Sequence, residues 1–259
     1  MNRLRLLRRV TEQTSEAELC SLFVVSLPRS LSSLLYVAAT QAIRLAEPSW
    51  TSDGEILNRD RMPRRLQGLA PTEERFTLLG SAPDIFGDMT GYLDRTALRQ
   101  GFAYKDVVQP FVLGGWDGLG DFKVVKVRRN LAEVAYAMLK RQWLYPARAA
   151  SIFDAHPWTL VEGLVRADAV LDALPGESVD YADAVYAHEP LAGALRRLYP
   201  EVELAPLRYI ARGFSWKRKR LEAERRDSLV FRRLEWIVSE VRERLRFDEP
   251  REEVAEARP

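Results

Sequence analysis

Cysteine occurs once in this chain, at Cys20, so no disulfide can form within it, and the usage fits a reducing compartment. Histidine occurs twice, at His156 and His188, and neither sits beside a recognisable catalytic motif. Long apolar runs are missing. The run around Leu22 to Val25 is far too short to span a membrane. The opening MNRLRLLRRVTEQTSEAEL is basic but has no continuous apolar segment, so it does not read as a secretory signal. Together these features lead us to expect a cytoplasmic protein. A formal net charge of +2 is too small to argue for nucleic-acid binding. The phosphate-loop pattern Gly-x-x-x-x-Gly-Lys-Ser/Thr is absent, which excludes the ATP-type loop. Lysine is also scarce: apart from Lys105, Lys123, Lys126, Lys140, Lys217 and Lys219, every basic residue is arginine. Arginine suits phosphate and sulfate, because its planar fork donates two parallel hydrogen bonds.

What is present can build a core. The 259 residues are 47% hydrophobic and 29% charged, within reach of one α/β domain. We expect that domain over residues 1–246, with a disordered acidic tail over 247–259. Leu22 to Val25 reads as a strand buried on both faces. Ser26 to Ser30 is a tight turn, and Leu31 to Leu45 has helical spacing. Residues 48–101 are weakly periodic and read as loops and short helices, an acceptor-facing or lid region. Further strands are expected at Phe102–Lys105, Phe122–Val127 and Ser178–Tyr181. Further helices are expected at Leu131–Tyr145, Trp158–Leu174 and Pro190–Leu198, the second of these closed by Pro175-Gly176. Leu113 to Gly120 reads as a flexible loop. Residues 216–246 read as a charged C-terminal helix or helix pair, with Leu229, Leu234, Ile237, Val241 and Leu245 as its buried stripe. Alternating strands and helices predict a three-layer α/β/α fold with a central parallel sheet and a P-loop-like nucleotide-binding architecture.

The turn at Ser26 to Ser33 is the first candidate site. A loop between a buried strand and a helix aims several N–H groups at one spot, and the helix dipole adds partial positive charge. Arg29, Ser30, Ser32 and Ser33 crowd further donors onto it. Capping serines at a helix start would look the same.

The run LPRSLSSLL resembles the 5′-phosphosulfate loop of the sulfotransferases, in particular their Golgi-type and bacterial branches, which commonly read Pro-Arg-Ser-Gly-Thr-Thr-x-Leu. Pro28, Arg29 and Ser30 match, Ser32 and Ser33 are conservative, and Leu31 stands where the family has glycine. The segment from Val124 to Ala137 is similar to the family's 3′-phosphate strand and helix through Arg129, Asn130 and Val134, with Leu131 for proline and Ala137 for serine. Weaker similarities follow in order at Tyr104-Lys105-Asp106, at Val179 to Asp183, and at Arg212-Gly213 with Trp216. The resemblance implies a sulfotransferase that moves a sulfuryl group from 3′-phosphoadenosine 5′-phosphosulfate to an acceptor hydroxyl or amine, with no metal. It places the donor on Pro28, Arg29, Ser30, Ser32, Ser33, Arg129, Arg212 and Gly213.

A base is needed to take the acceptor's proton. The resemblance implies a glutamate after the first helix, and two are available: Glu55 in Gly54-Glu55-Ile56, which we favour, and Glu47 in Ala46-Glu47-Pro48. Arg29 joins it as the charge stabiliser. Two other readings stay open: a kinase-like P-loop enzyme for a nucleotide or small molecule, and a catalytically degenerate relative that binds or scaffolds. The acceptor and the oligomeric state are not specified by the sequence.

Overall fold

Leu22–Ser26 forms strand β1, and all five residues are buried. The computed structural model describes residues 20–48, 54–55, 101–107, 122–141, 157–212, 222–223 and 229–248. Successive side chains of a strand point to opposite faces, so a run buried at every position requires cover on both sides. That cover is present. Leu22 and Val24 join one apolar cluster with Leu35, Tyr36 and Ala39, whereas Phe23 and Val25 join another with Val134, Leu160 and Ile237. Full burial of each such side chain contributes about 1.5–3 kcal/mol.

Three more strands pair in parallel, β2 (Ala103–Asp106), β3 (Lys123–Arg128) and β4 (Glu177–Asp180), in the order β2-β1-β3-β4. The register places Val24 opposite Lys105 on one side and Val125 on the other. Helices α1 (Ser32–Ala42), α4 (Tyr181–Tyr186), α5 (Glu189–Leu198) and α6 (Leu204–Arg212) cover one face. Helices α2 (Leu131–Leu139), α3 (Pro157–Ala173) and α7 (Leu229–Asp248) cover the other. The fold is therefore α/β, a four-stranded parallel sheet with helices on both faces.

The elements read from the sequence are recovered with shifted edges. β2 and β3 each begin one residue later than the spacing predicts. The strand expected at Ser178–Tyr181 ends at Asp180, because the Asp180 carboxylate accepts the Ala182 N–H at 2.7 Å and starts α4. Helix α6 was not anticipated. Its Pro206 lies in the first turn, where the missing N–H costs nothing. The Pro175-Gly176 closure holds for a steric reason. Gly176 has φ 123°, and a Cβ there would sit 2.5 Å from the Val124 carbonyl oxygen. The buried Lys126 ammonium donates to the Asp172 and Leu174 carbonyls at 3.1 and 2.6 Å, satisfying the C-terminal end of α3. Burial, followed by the nearby Arg128 charge, pushes its pKa down. The 113–120 loop, most of the 48–101 region and the tail beyond residue 248 lie outside the described residues. Among the described residues, no helix is long and apolar enough to cross a membrane.

Candidate functional site

The strand order changes direction between β1 and β3. The chain leaves β1 through α1 for β2 on one side, then returns to β3 on the other. In an open parallel sheet, such a point leaves a crevice at the carboxyl ends of the strands. The segment 27–31 after β1 and the pair Arg129-Asn130 after β3 flank that crevice.

The β1 loop is built with two residues in the left-handed region, Arg29 at φ 64° and Leu31 at φ 66°. Left-handed backbone costs an L-residue roughly 1–2 kcal/mol, so this turn stores strain. It explains the glycine that the sulfotransferase pattern carries where this chain has Leu31: the position needs positive φ, which glycine adopts freely. Leu31 is also the N-cap of α1 and has no side chain able to cap it. Leu34 and Leu35 N–H groups turn back to the Leu31 carbonyl, whereas the first N–H groups of a helix have no intrahelical acceptor. The neighbouring helices contrast with this. Asn130 Oδ1 accepts from Ala132 and Glu133 N–H to cap α2, and Asp180 caps α4.

Behind the uncapped end lies a buried cation. Lys105, in β2, points to the α1 side, and its Nζ donates to Ser33 Oγ at 2.9 Å. The same ammonium pairs with the Glu55 carboxylate. Glu55 reaches it because residues 54–55 run alongside β2: Lys105 N–H donates to the Gly54 carbonyl at 2.9 Å, and Glu55 bridges Lys105 in parallel. Gly54 has φ 70°, and a Cβ there would lie 2.4 Å from the Tyr36 ring, so no other residue fits without displacing that ring.

Of the residues singled out from the sequence, the structure brings Ser33, Glu55 and Lys105 together, with Arg29 and Ser30 in the turn that leads to Ser33. Pro28, Ser30 and Ser32 are buried in the turn, while Arg29 is exposed. Glu47 lies elsewhere. It follows Ala46, which bridges Phe102 at the opposite, amino-terminal edge of the sheet, across the length of α1, about 16 Å. Arg129 stands at the crevice but is engaged by the protein. It donates to the Arg29 carbonyl and to Glu133 Oε2 at 3.0 Å, and lies 4.2 Å from the Tyr181 ring centre. It thus ties the β1 loop to α2 and α4. Ala137 is half-buried on α2. Arg212 is the last residue of α6, and Gly213, Trp216 and His156 lie outside the described residues. His188 bonds Arg208 and pairs with Glu189. Lys105 was legible in the sequence only as one weak similarity. Its burial comes from the sheet pairing, which no local pattern reveals.

The fold and the turn define an α/β protein with a strained, cation-backed loop at its topological switch point. No family model matches the sequence. A stretch of 106 residues is 33% identical to histidinol-phosphate aminotransferase of Mycobacterium marinum, covering 39% of this chain and 26% of that enzyme. This chain therefore matches about a quarter of the length of that curated relative. The similarity overturns the sulfotransferase activity expected from the loop motifs, since the matched enzyme belongs to a different transferase class.

Proposed function

We propose that this chain binds a small ligand through its phosphate or phosphosulfate group at the β1–α1 loop, a P-loop-like strand–turn–helix unit. One observation carries this reading: the uncapped amino end of α1 lies next to the buried Lys105 ammonium. An anion placed there would accept N–H groups that no side-chain cap satisfies, and would gain from the dipole and the ammonium together. Arg29, exposed at the mouth of the turn, supplies a bidentate donor. The pairing of Lys105 with Glu55 holds the ammonium in place without a ligand.

Two ligands are favoured. The loop motifs favour 3′-phosphoadenosine 5′-phosphosulfate, with Arg129 near the second phosphate. The similarity to the Mycobacterium enzyme favours histidinol phosphate. Both present a tetrahedral oxyanion to the turn. The test is thermal unfolding of the full chain with each compound, with the product adenosine 3′,5′-bisphosphate included. A ligand at a hundredfold its dissociation constant adds about 2.7 kcal/mol of stability. Arg29→Ala should weaken the effective ligand by about 1.5–3 kcal/mol, the scale of a charge-assisted hydrogen bond. Stabilisation by histidinol phosphate and not by the nucleotides would favour amino-group transfer. No stabilisation by any of the three, or an Arg29→Ala variant that responds like the wild type, would remove the reading.

A further inference from the structure

A second cleft lies on the other face of the sheet, between the start of α2, α3 and the last turns of α7. Its volume is about 650 Å³, within the range of small-molecule sites. The polar α7 residues facing it are Glu235, Ser239, Arg242, Glu243 and Arg246. These positions recur three and four apart and form one stripe of the helix. The core residues Leu234, Ile237 and Val241 form the stripe beside it.

The floor of this cleft is organised. Asp168 of α3 is 7% exposed and holds two guanidiniums, Arg128 at 2.9 Å and Arg242 at 3.2 Å. Arg128 pairs with Asp172 as well. The two arginines are therefore fixed by carboxylates behind them, while Arg242, 48% exposed, still borders the open space. Arg246 adds a third guanidinium one turn further on, and Ser239 a hydroxyl. Opposite charge is present on the same walls, in Glu235 and Glu243. With Arg129 the lining holds four guanidiniums, and with Asp168 and Asp180 four carboxylates, so an anion alone or a cation alone meets like charge. Like charges at close range disfavour both. A molecule with an oxyanion at one end and an ammonium at the other satisfies both sets.

We infer that this α2–α3–α7 cleft binds a small zwitterion, an amino acid or amino phosphate, with its oxyanion on Arg242 and Arg246 and its ammonium on Glu243. Arg242 and Arg246 belong to a helix on the face opposite α1, and the cleft adjoins the β1–α1 loop at Arg129, which lines it and donates to the Arg29 carbonyl.

Titration calorimetry with phosphoethanolamine tests it, with inorganic phosphate and ethanolamine as single-charge controls. The expected result is saturable binding of phosphoethanolamine, at least tenfold tighter than either control. Arg246→Ala and Glu243→Gln, both at exposed positions, should each weaken it at least tenfold. Arg29→Ala should leave it unchanged, which separates this site from the loop. Absence of saturable binding, equal affinity for inorganic phosphate, or indifference to Arg246→Ala would overturn the inference. So would an equal loss in Arg29→Ala, which would put the probe in the β1–α1 loop.

Discussion

Leu31 offers the sharpest test of how the β1 turn is built. It holds φ 66° while its side chain packs half-buried against the α1 cluster. Replacement by alanine keeps a Cβ, so the left-handed strain of roughly 1–2 kcal/mol stays. It also removes the packing of a half-buried leucine, about half of the 1.5–3 kcal/mol for full burial. Leu31→Ala should therefore lose about 1 kcal/mol. Leu31→Gly loses the same packing but relieves the strain, offset by about 0.5–1 kcal/mol of extra backbone entropy in the unfolded chain. The glycine variant should come out close to wild type and about 1 kcal/mol above the alanine variant. In a domain of this size, that is a melting difference of about 2–4 °C. The assay is thermal or urea unfolding of the three proteins side by side. A glycine variant less stable than the alanine variant would show that the turn does not need positive φ at this position, and the account of the loop would fail with it.

Two further outcomes follow from charges buried near the two sites. Lys105→Met should destabilise the protein by about 3–5 kcal/mol, because it leaves the Glu55 carboxylate without its cation. The double variant Lys105→Met/Glu55→Gln should recover a good part of that loss in urea unfolding, and recovery of nothing would count against the pair. Asp168 is held above the ordinary carboxylate range, chiefly by burial, against the opposing pull of Arg128 and Arg242. Its folded form thus binds the proton more tightly than its unfolded form. Its contribution to stability is fullest below the ordinary carboxylate pKa and is lost as pH rises through the folded value. Measured against Asp168→Asn, the wild type should therefore lose relative stability as pH climbs upward from about 4. A difference that grows in the wild type's favour over that window would contradict the burial account.

Local pattern carried most of the sheet and most of the helices. The apolar run Leu22 to Val25 could be a strand only if covered on both faces, and two clusters cover it. The turn after it was legible because a buried strand followed at once by helical spacing leaves only a few residues to join them. The reaction was not legible there. A motif of five or six residues is compatible with more than one transferase chemistry. The similarity to the Mycobacterium enzyme displaced sulfuryl transfer without altering the geometry of the turn.

By itself the sequence determined the α/β class, the order of the main strands and helices, and the position of the turn that follows β1, since each depends on periodicity and on turn chemistry within a few residues. The different placements of Glu55 and Glu47 could not be read that way. Eight positions separate them in the chain, but parallel pairing along β2 sends one to the carboxyl edge beside Lys105 and the other to the amino edge. The engagement of Arg129 by Glu133, Tyr181 and the Arg29 carbonyl likewise needed three elements packed together. So did the Arg128–Asp168–Arg242 cluster, whose members come from β3, α3 and α7. Contacts of that kind are decided by which strand lies beside which, because pairing brings together residues tens of positions apart that no local spacing relates.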